Sequence, residues 1–260
     1  MNLEKIKEEL LLVDYTKGIK KDILIVVHDQ FKYIKNCIDS IYKNTKKFNL
    51  YIWDNASKNE TSSYLKKIAK ENKNIKLYYS DENVGFIIPN NKMIQDTQNP
   101  YIILLNSDTI VDRYWDSVMI GFLEKNKDVA IVGYDGGILN HEGRGIEKGK
   151  GYEIDYVCGY CMCFSRDTYE NFGLFDDNLK FAYCEDADFA LRVRSKNKKI
   201  YACYSSNLVH HFANKTTIQV LKENDFSKHV KNNMNYIKNK WSSFLSNKAE
   251  GKAKFTDDQV

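Results

Sequence analysis

The stretch Asp22-Ile-Leu-Ile-Val-Val-His28 carries five aliphatic residues in an unbroken run between two polar ends. Branched side chains favour an extended backbone, and a run with no polar alternate predicts a strand covered on both faces. Directly downstream, Phe31, Ile34, Ile38, Ile41 and Tyr42 recur at helical spacing over residues 31–45. The same couplet then repeats. Strands are expected at 50–53, 75–79, 101–105 and 129–132, with amphipathic helices at 61–72, 89–97 and 115–126 between them. Buried strands alternating with helices predict an α/β fold with a mostly parallel central sheet and helices on both faces. Upstream, Leu3, Ile6, Leu10 and Val13 predict a short leading helix.

The chain has 260 residues, 43% hydrophobic and 28% charged, enough for a sizeable core and unlike a collagenous, disordered or disulfide-stapled chain. A formal charge of +4, with both signs dispersed, excludes nucleic acid as the expected partner. No apolar run reaches the ~20 residues of a membrane span. The first 21 residues lack the basic start and apolar stretch of a secretory signal, so a cytoplasmic location and reduced cysteines are expected. Cys158, Cys161 and Cys163 have no second CxxC pair nearby, and read as buried thiols rather than a metal cluster.

The second half changes character. Seven of the 13 glycines fall between Gly133 and Gly151, which reads as a loop, either a lid or a plain connection. A strand at 152–165, a helical turn at 166–172, a helix at 185–197 and a strand at 199–204 follow. Residues 218–245 read as a Lys- and Asn-rich amphipathic tail, packed on its own domain or in peripheral contact with a membrane surface.

Ligands of open parallel sheets bind outside the carboxyl ends of the strands. That rule gathers His28 and Asp29 after the first strand, Asp54, Asn55 and Ser57 after the second, Asn83, Gly85 and Phe86 after the third, and Asn106, Ser107 and Asp108 after the fourth. Such residues also cap helices and make turns, but four polar clusters along one sheet edge exceed what capping requires. Asp108 is a hard oxygen ligand suited to Mg²⁺ or Mn²⁺ on a phosphate, or else a cap for the helix near Asp112. Glu185, Asp186 and Asp188 open a helix, where the macrodipole favours ionised carboxylates. Asp188 and Arg192 are four apart and read as a surface pair, which leaves Asp186 as the acid free to act as a general base, with Glu185 as a possible cap. Of the adjacent His210 and His211, one can face a metal and the other must point away.

In this order the motifs resemble the inverting family-2 glycosyltransferases of GT-A fold, particularly their rhamnosyltransferase-like members. The resemblance runs over residues 22–217 and rests on Trp53-Asp54-Asn55-Ala-Ser57, Asn83-Val-Gly85-Phe86 with Asn90-Asn91, Leu104-Leu105-Asn106-Ser107-Asp108-Thr109, Gly159, Gly173-Leu-Phe-Asp176, Glu185-Asp186-Ala-Asp188 with Arg192, and Val209-His210. It implies a GT-A domain over 1–217, with a Rossmann-like nucleotide-sugar half at about 20–133, an acceptor half at about 134–217 and a helical tail at 218–260. It further implies an inverting, metal-dependent transfer from a UDP-, dTDP- or GDP-sugar to a glycan, lipid-linked or protein acceptor, in bacterial surface polysaccharide or glycoconjugate synthesis, with the enzyme in the cytoplasm or at the inner membrane face. By resemblance Asp54, with His28 and Asp29, contacts the donor base. Asp108 is the last acid of the DxD motif and holds Mn²⁺ or Mg²⁺. His210 completes the metal site or touches the diphosphate, and Asp186 is the base of a catalytic pair with Glu185. Three departures stand out: His28-Asp29 in place of Tyr-Asn, Asn106 in place of the first acid, and Ile87-Ile88-Pro89 in place of small residues.

Two other enzyme classes lack their signatures. A sugar-phosphate nucleotidyltransferase needs a Gly- and Arg-rich loop where this chain has His-Asp-Gln-Phe-Lys, and a dinucleotide oxidoreductase needs a GxGxxG after a strand. A non-catalytic carbohydrate- or nucleotide-binding module would not need Asp108, Asp186 and His210 together.

Overall fold

The computed structural model describes residues 2–16, 18–212 and 226–247. Helix α1 (Leu3–Leu11) and a 3₁₀ turn (Leu12–Thr16) lead into β1 (Lys21–Val27), α2 (Phe31–Asn44), β2 (Phe48–Asn55), α3 (Asn59–Glu71), β3 (Ile75–Ser80), α4 (Ile87–Asp96) and β4 (Tyr101–Leu105). Then come β5 (Thr109–Val111), α5 (Trp115–Lys125), β6 (Val129–Gly133), β7 (Gly136–Leu139), β8 (Gly145–Gly149), β9 (Tyr156–Val157) and β10 (Cys161–Ser165). The chain continues through α6 (Arg166–Phe172), α7 (Glu185–Arg194), β11 (Lys199–Ala202), β12 (Val209–His211) and α8 (Phe226–Asn247).

Among the described residues, seven strands form the central sheet in the order β11-β6-β10-β4-β1-β2-β3. All neighbours are parallel except β10, which runs antiparallel to β4 and β6. Alternate residues of β1 therefore enter different cores. Ile23, Ile25 and Val27 pack with α2, α3 and α5 through Ile34, Leu65 and Trp115, whereas Leu24 packs with Met93 of α4 and Phe189 of α7. Each such fully buried side chain contributes about 1.5–3 kcal/mol.

The glycine-rich stretch is not a loop. Strands β7, β8 and β9 pair antiparallel in a small second sheet. The glycines allow close strand approach: a Cβ on Gly136 would lie 2.7 Å from Tyr156 O, and one on Gly137 would lie 2.6 Å from the Tyr156 ring. The strand expected over 152–165 is split into β9 and β10 around a turn. Cys161 and Cys163 alternate into one buried face of β10, as expected, and no cluster of three metal-ligating side chains occurs among the described residues.

The basic tail packs on the domain. Ile237 and Leu245 of α8 are buried, and Trp241 Nε1 donates to Asp188 Oδ1 at 2.8 Å. Residues 218–225 and 248–260 of the expected tail lie outside the described residues. No helix among the described residues is long and apolar enough to cross a membrane. At the other end, the buried Glu9 carboxylate accepts from Tyr201 Oη, from the Tyr204 and Ser205 amides and from Ser205 Oγ, tying α1 to the segment after β11.

Candidate functional site

The carboxyl ends of β1, β2 and β4 open onto a cleft of about 390 Å³. His28, Asn55, Asn83, Gly85, Phe86, Asn106 and Ser107 line one side, as their strand-end positions predict. Glu185, Asp186, Gly159 and Tyr183 line the other, and His211 and Tyr160 also border it.

Asn55 organises the first wall. Its Nδ2 donates to Asn83 Oδ1 and Gly85 O, both at 2.8 Å, while its Oδ1 accepts from Ser80 Oγ and the Val84 amide. One buried amide thus shapes the whole turn after β3. Gly85 sits in that turn at φ +83, and a Cβ there would lie 2.3 Å from Phe181 O, so both backbone and space demand glycine. His28 Nδ1 lies 2.7 Å from Asn55 O. A carbonyl only accepts, so Nδ1 carries the proton in this bond.

Asp29, Asp54 and Asp108 do not line the cleft themselves. Asp29 Oδ1 accepts the Lys58 amide at 2.6 Å, and Asp54 Oδ1 accepts the Ser57 amide at 2.9 Å. Both carboxylates brace the turn that leads into α3, which is the capping role open to such residues at a strand end.

Asp108 follows β4 and is 1% exposed. It does not cap the following helix, which begins at Trp115 behind Tyr114. Strand β5 turns back immediately and pairs with β12, which sets His211 opposite Thr109 and His210 opposite Ile110. His211 Nε2 consequently lies 3.4 Å from Asp108 Oδ1. His210 points the other way, with Nε2 3.1 Å from Asp112 Oδ2 in an exposed pair. The order expected for the two histidines is reversed: neighbours in a strand project to opposite faces, and the pairing register gives the Asp108 side to His211. A buried carboxylate beside an imidazole is a donor set that suits Mn²⁺ or Mg²⁺ when phosphate oxygens complete the shell.

Across the cleft, Asp186 Oδ2 accepts the Gly159 amide at 3.1 Å and Oδ1 accepts the Ala187 amide at 2.8 Å. Burial raises its pKa, and these two hydrogen bonds only moderate the rise. Glu185 is raised as well, by burial first and then by the charge of Asp186. Desolvation therefore outweighs the helix-end field, which acts in the opposite direction on both. Glu185 Oε2 has no hydrogen-bond partner among the described residues.

Asp188 is not a surface residue. It is fully buried and is held by Arg192 Nε at 2.9 Å, Lys240 Nζ at 2.7 Å and Trp241 Nε1 at 2.8 Å. The helical spacing with Arg192 is as expected, but α8 covers the pair.

The cleft also contains Asp135, Lys148, Cys158 and Tyr160. Asp135 is held by Lys150 Nζ at 2.7 Å and Tyr160 Oη at 2.9 Å. Burial pushes the Cys158 thiol up to about 12, so it is an inert lining group. Nothing in the local sequence marks Asp135 or Lys148, because the small β7-β8-β9 sheet brings them to the cleft.

The sequence profile of the family described as "Glycosyl transferase family 2" matches residues 22–172, more than half the chain. The chain belongs to glycosyl transferase family 2. An uncharacterized glycosyltransferase of Haemophilus influenzae is 26% identical over 112 residues, which cover 43% of this chain and 35% of that relative. A teichoic acid poly(glycerol phosphate) polymerase of Staphylococcus epidermidis is 28% identical over 97 residues, covering 36% of this chain and 14% of the polymerase. The family-2 chain thus spans well under two thirds of either relative. Among solved structures, GalNAc-T7 with UDP, GalNAc and Mn²⁺ superposes at a TM-score of 0.64 and 15% identity, over 74% of this chain and 43% of that one. The mannosyltransferase PcManGT of Pyrobaculum calidifontis, with GDP-Man and Mn²⁺, gives 0.60 at 11% identity, over 97% of this chain and 85% of that one. S. aureus TarS 1–349 with UDP-GlcNAc gives 0.52 at 15%, over 71% of this chain and 56% of that one. At these identities the likeness carries the fold, which is that of the GT-A glycosyltransferases.

Proposed function

We propose that this family-2 glycosyltransferase moves a sugar from a nucleoside-diphosphate sugar to an acceptor hydroxyl with inversion, and that Asp186 is the base. The observation that carries the reading is the pairing of walls: a carboxylate fixed by the Gly159 amide faces a cleft bordered by Asn106, Ser107 and His211. The acceptor oxygen bonds to the anomeric carbon as the bond from that carbon to the diphosphate oxygen breaks. Asp186 takes the hydroxyl proton, and the nucleoside diphosphate leaves with the bonding electron pair. A raised pKa makes Asp186 a stronger base at neutral pH than an exposed aspartate.

Asp108 and His211 would hold the divalent ion, Mn²⁺ or Mg²⁺, which when bound neutralises charge on the departing diphosphate. His28 and Asn83 face the donor side, while Asp29, Asp54 and Asn55 keep its turns in place. GDP-Man and UDP-GlcNAc in the structural relatives make UDP-, dTDP- and GDP-sugars the donors to try, deoxyhexoses included. The teichoic acid polymerase among the relatives favours an acceptor in bacterial surface polysaccharide or glycoconjugate synthesis, whether glycan, lipid-linked or protein. A lipid-linked acceptor would bring the enzyme to the inner membrane face. With Ile237 and Leu245 spent on the domain, α8 would meet that surface through charge rather than insertion.

The test is incubation with a panel of these nucleotide sugars with and without Mn²⁺, following release of nucleoside diphosphate and the anomeric configuration of the product. Retained configuration excludes the single displacement. Binding without any turnover on every donor and acceptor supports a carbohydrate- or nucleotide-binding module instead.

A further inference from the structure

The C-terminal helix reaches the cleft wall through His229, whose ring stacks on Phe181 at 5.8 Å between centroids, and through Asn233. Asn233, 2% exposed, accepts the Lys180 amide on Oδ1 at 2.9 Å. Its Nδ2 lies 2.9, 3.0 and 3.1 Å from the carbonyl oxygens of Lys180, Ala182 and Tyr183, sharing two hydrogens among three acceptors. Four backbone groups of one short loop therefore converge on a single buried amide.

That loop needs holding. Phe181, Tyr183 and Cys184 have φ of 67°, 74° and 74°, the left-handed region that non-glycine residues enter at a cost. Such a conformation persists only where its surroundings over-determine it. The loop also joins the two walls of the cleft. Phe181 O accepts the Phe86 amide at 2.6 Å and the Ile87 amide at 3.4 Å, on the donor side. At its other end Cys184 leads directly into Glu185 and Asp186.

The two ends are not equally dependent on α8. Asp186 has its own fastening to Gly159, and α7 is clamped to α8 separately through Asp188 with Lys240 and Trp241. The contact of Phe181 with Phe86 and Ile87 lies on the stretch whose carbonyls Asn233 collects. We propose that Asn233 is a positioning residue, which holds loop 180–184 against Phe86 and Ile87 and so sets the donor side of the cleft. The C-terminal helix is then part of the donor site rather than an appendage. The kinetic half of this proposal rests on the nucleotide-sugar reading above; the structural half does not.

The experiment compares Asn233→Ala and the milder Asn233→Ser with Trp241→Phe, which removes an α8 hydrogen bond away from the loop. Amide hydrogen exchange at Phe86 and Ile87 and steady-state kinetics with a nucleotide sugar turned over by the unmodified enzyme are measured on each. Both Asn233 variants should speed exchange at those two amides by about tenfold or more, as local opening becomes cheaper. They should raise the donor KM by about tenfold with kcat within about threefold, the pH profile keeping its midpoint because the surroundings of Asp186 are intact. Trp241→Phe should lower the thermal midpoint while leaving exchange at these amides and the donor KM in place. Unchanged exchange at Phe86 and Ile87 in both Asn233 variants overturns the proposal. So does an equal change in Trp241→Phe, which would mean general loosening. If the unmodified enzyme turns over no nucleotide sugar, the functional reading fails and exchange alone decides the brace.

Discussion

The ring of Tyr160 lies flat against the imidazole of His211, with 4.3 Å between centroids and 12° between planes. Tyr160 is itself fixed, since its hydroxyl donates to Asp135 Oδ2 at 2.9 Å and Asp135 is paired with Lys150. The stack leaves His211 little freedom to rotate away from Asp108. Among the described residues His210 has no such stack, and it stands exposed beside Asp112.

From this asymmetry, His211→Ala should weaken Mn²⁺-dependent nucleoside-diphosphate binding by about tenfold or more, and His210→Ala by less than about twofold. Asp108→Ala should abolish the metal-dependent part. Titration calorimetry with and without Mn²⁺ on the three variants checks this, and a larger loss at His210 would reverse the assignment.

Asp186→Asn keeps the size and the acceptor oxygen but cannot take a proton. Transfer should fall by about 10²–10⁴-fold with donor binding retained. In the unmodified enzyme the ionised form is the active one, and burial raises the pKa of Asp186. Activity should therefore decline on acidification at a pH above the ordinary aspartate range. A pH–rate profile under single-turnover conditions measures both, and an acid limb at or below that range would exclude a buried base.

Glu185 allows a test on stability alone. Its folded-state pKa is raised, so protonation stabilises the fold relative to the unfolded chain. That contribution is complete below the unfolded value and is lost as pH rises through the folded one. Glu185→Gln removes the titration, so the variant should gain thermal stability over the parent at about pH 9 and show no such gain at about pH 4. Melting curves at the two pH values decide it; a gain at low pH alone would give the wrong sign.

Asp188→Ala leaves Arg192 and Lys240 facing a buried gap where a carboxylate stood. Breaking a buried charge network from one side costs about 3–5 kcal/mol, several times the value of an exposed helix pair. Chemical denaturation should show a loss in that range. A loss below about 1 kcal/mol would mean the network is solvated.

Gly85→Ala must place a methyl where Phe181 O already sits and adopt a left-handed φ as well. The turn should shift, and both donor binding and stability should fall, the latter by more than about 1 kcal/mol. Binding and melting measurements on this variant check it, and unaltered values would mean that loop 180–184 yields without consequence.

The alternation of β-branched runs with helical periods determined the α/β sheet, and the strand-end rule placed His28, Asn55, Asn83, Gly85, Asn106 and Ser107 on one cleft. Both are legible because they depend on local periodicity and on the fixed geometry of a parallel sheet. Asp29 and Asp54 show the limit of that rule: a strand-end acid can face a ligand or its own turn, and a hydrogen bond to the Lys58 or Ser57 amide decides which. The glycines from Gly136 to Gly149 resembled a loop because glycine has low strand propensity, yet here it lets strands pass close to Tyr156.

Tertiary structure alone decided the rest. Which histidine meets Asp108 depends on the register of β12 on β5, two strands of three residues each, too short to leave a periodic signal. Whether Asp188 is exposed depends on α8, which arrives from more than forty residues along the chain. The pKa of Asp186 follows from burial, a property of the assembled cleft, and it overrides the helix-end field that the local sequence predicts. Periodicity reports what each segment can bury, whereas partners across long sequence separations are fixed only when the segments pack.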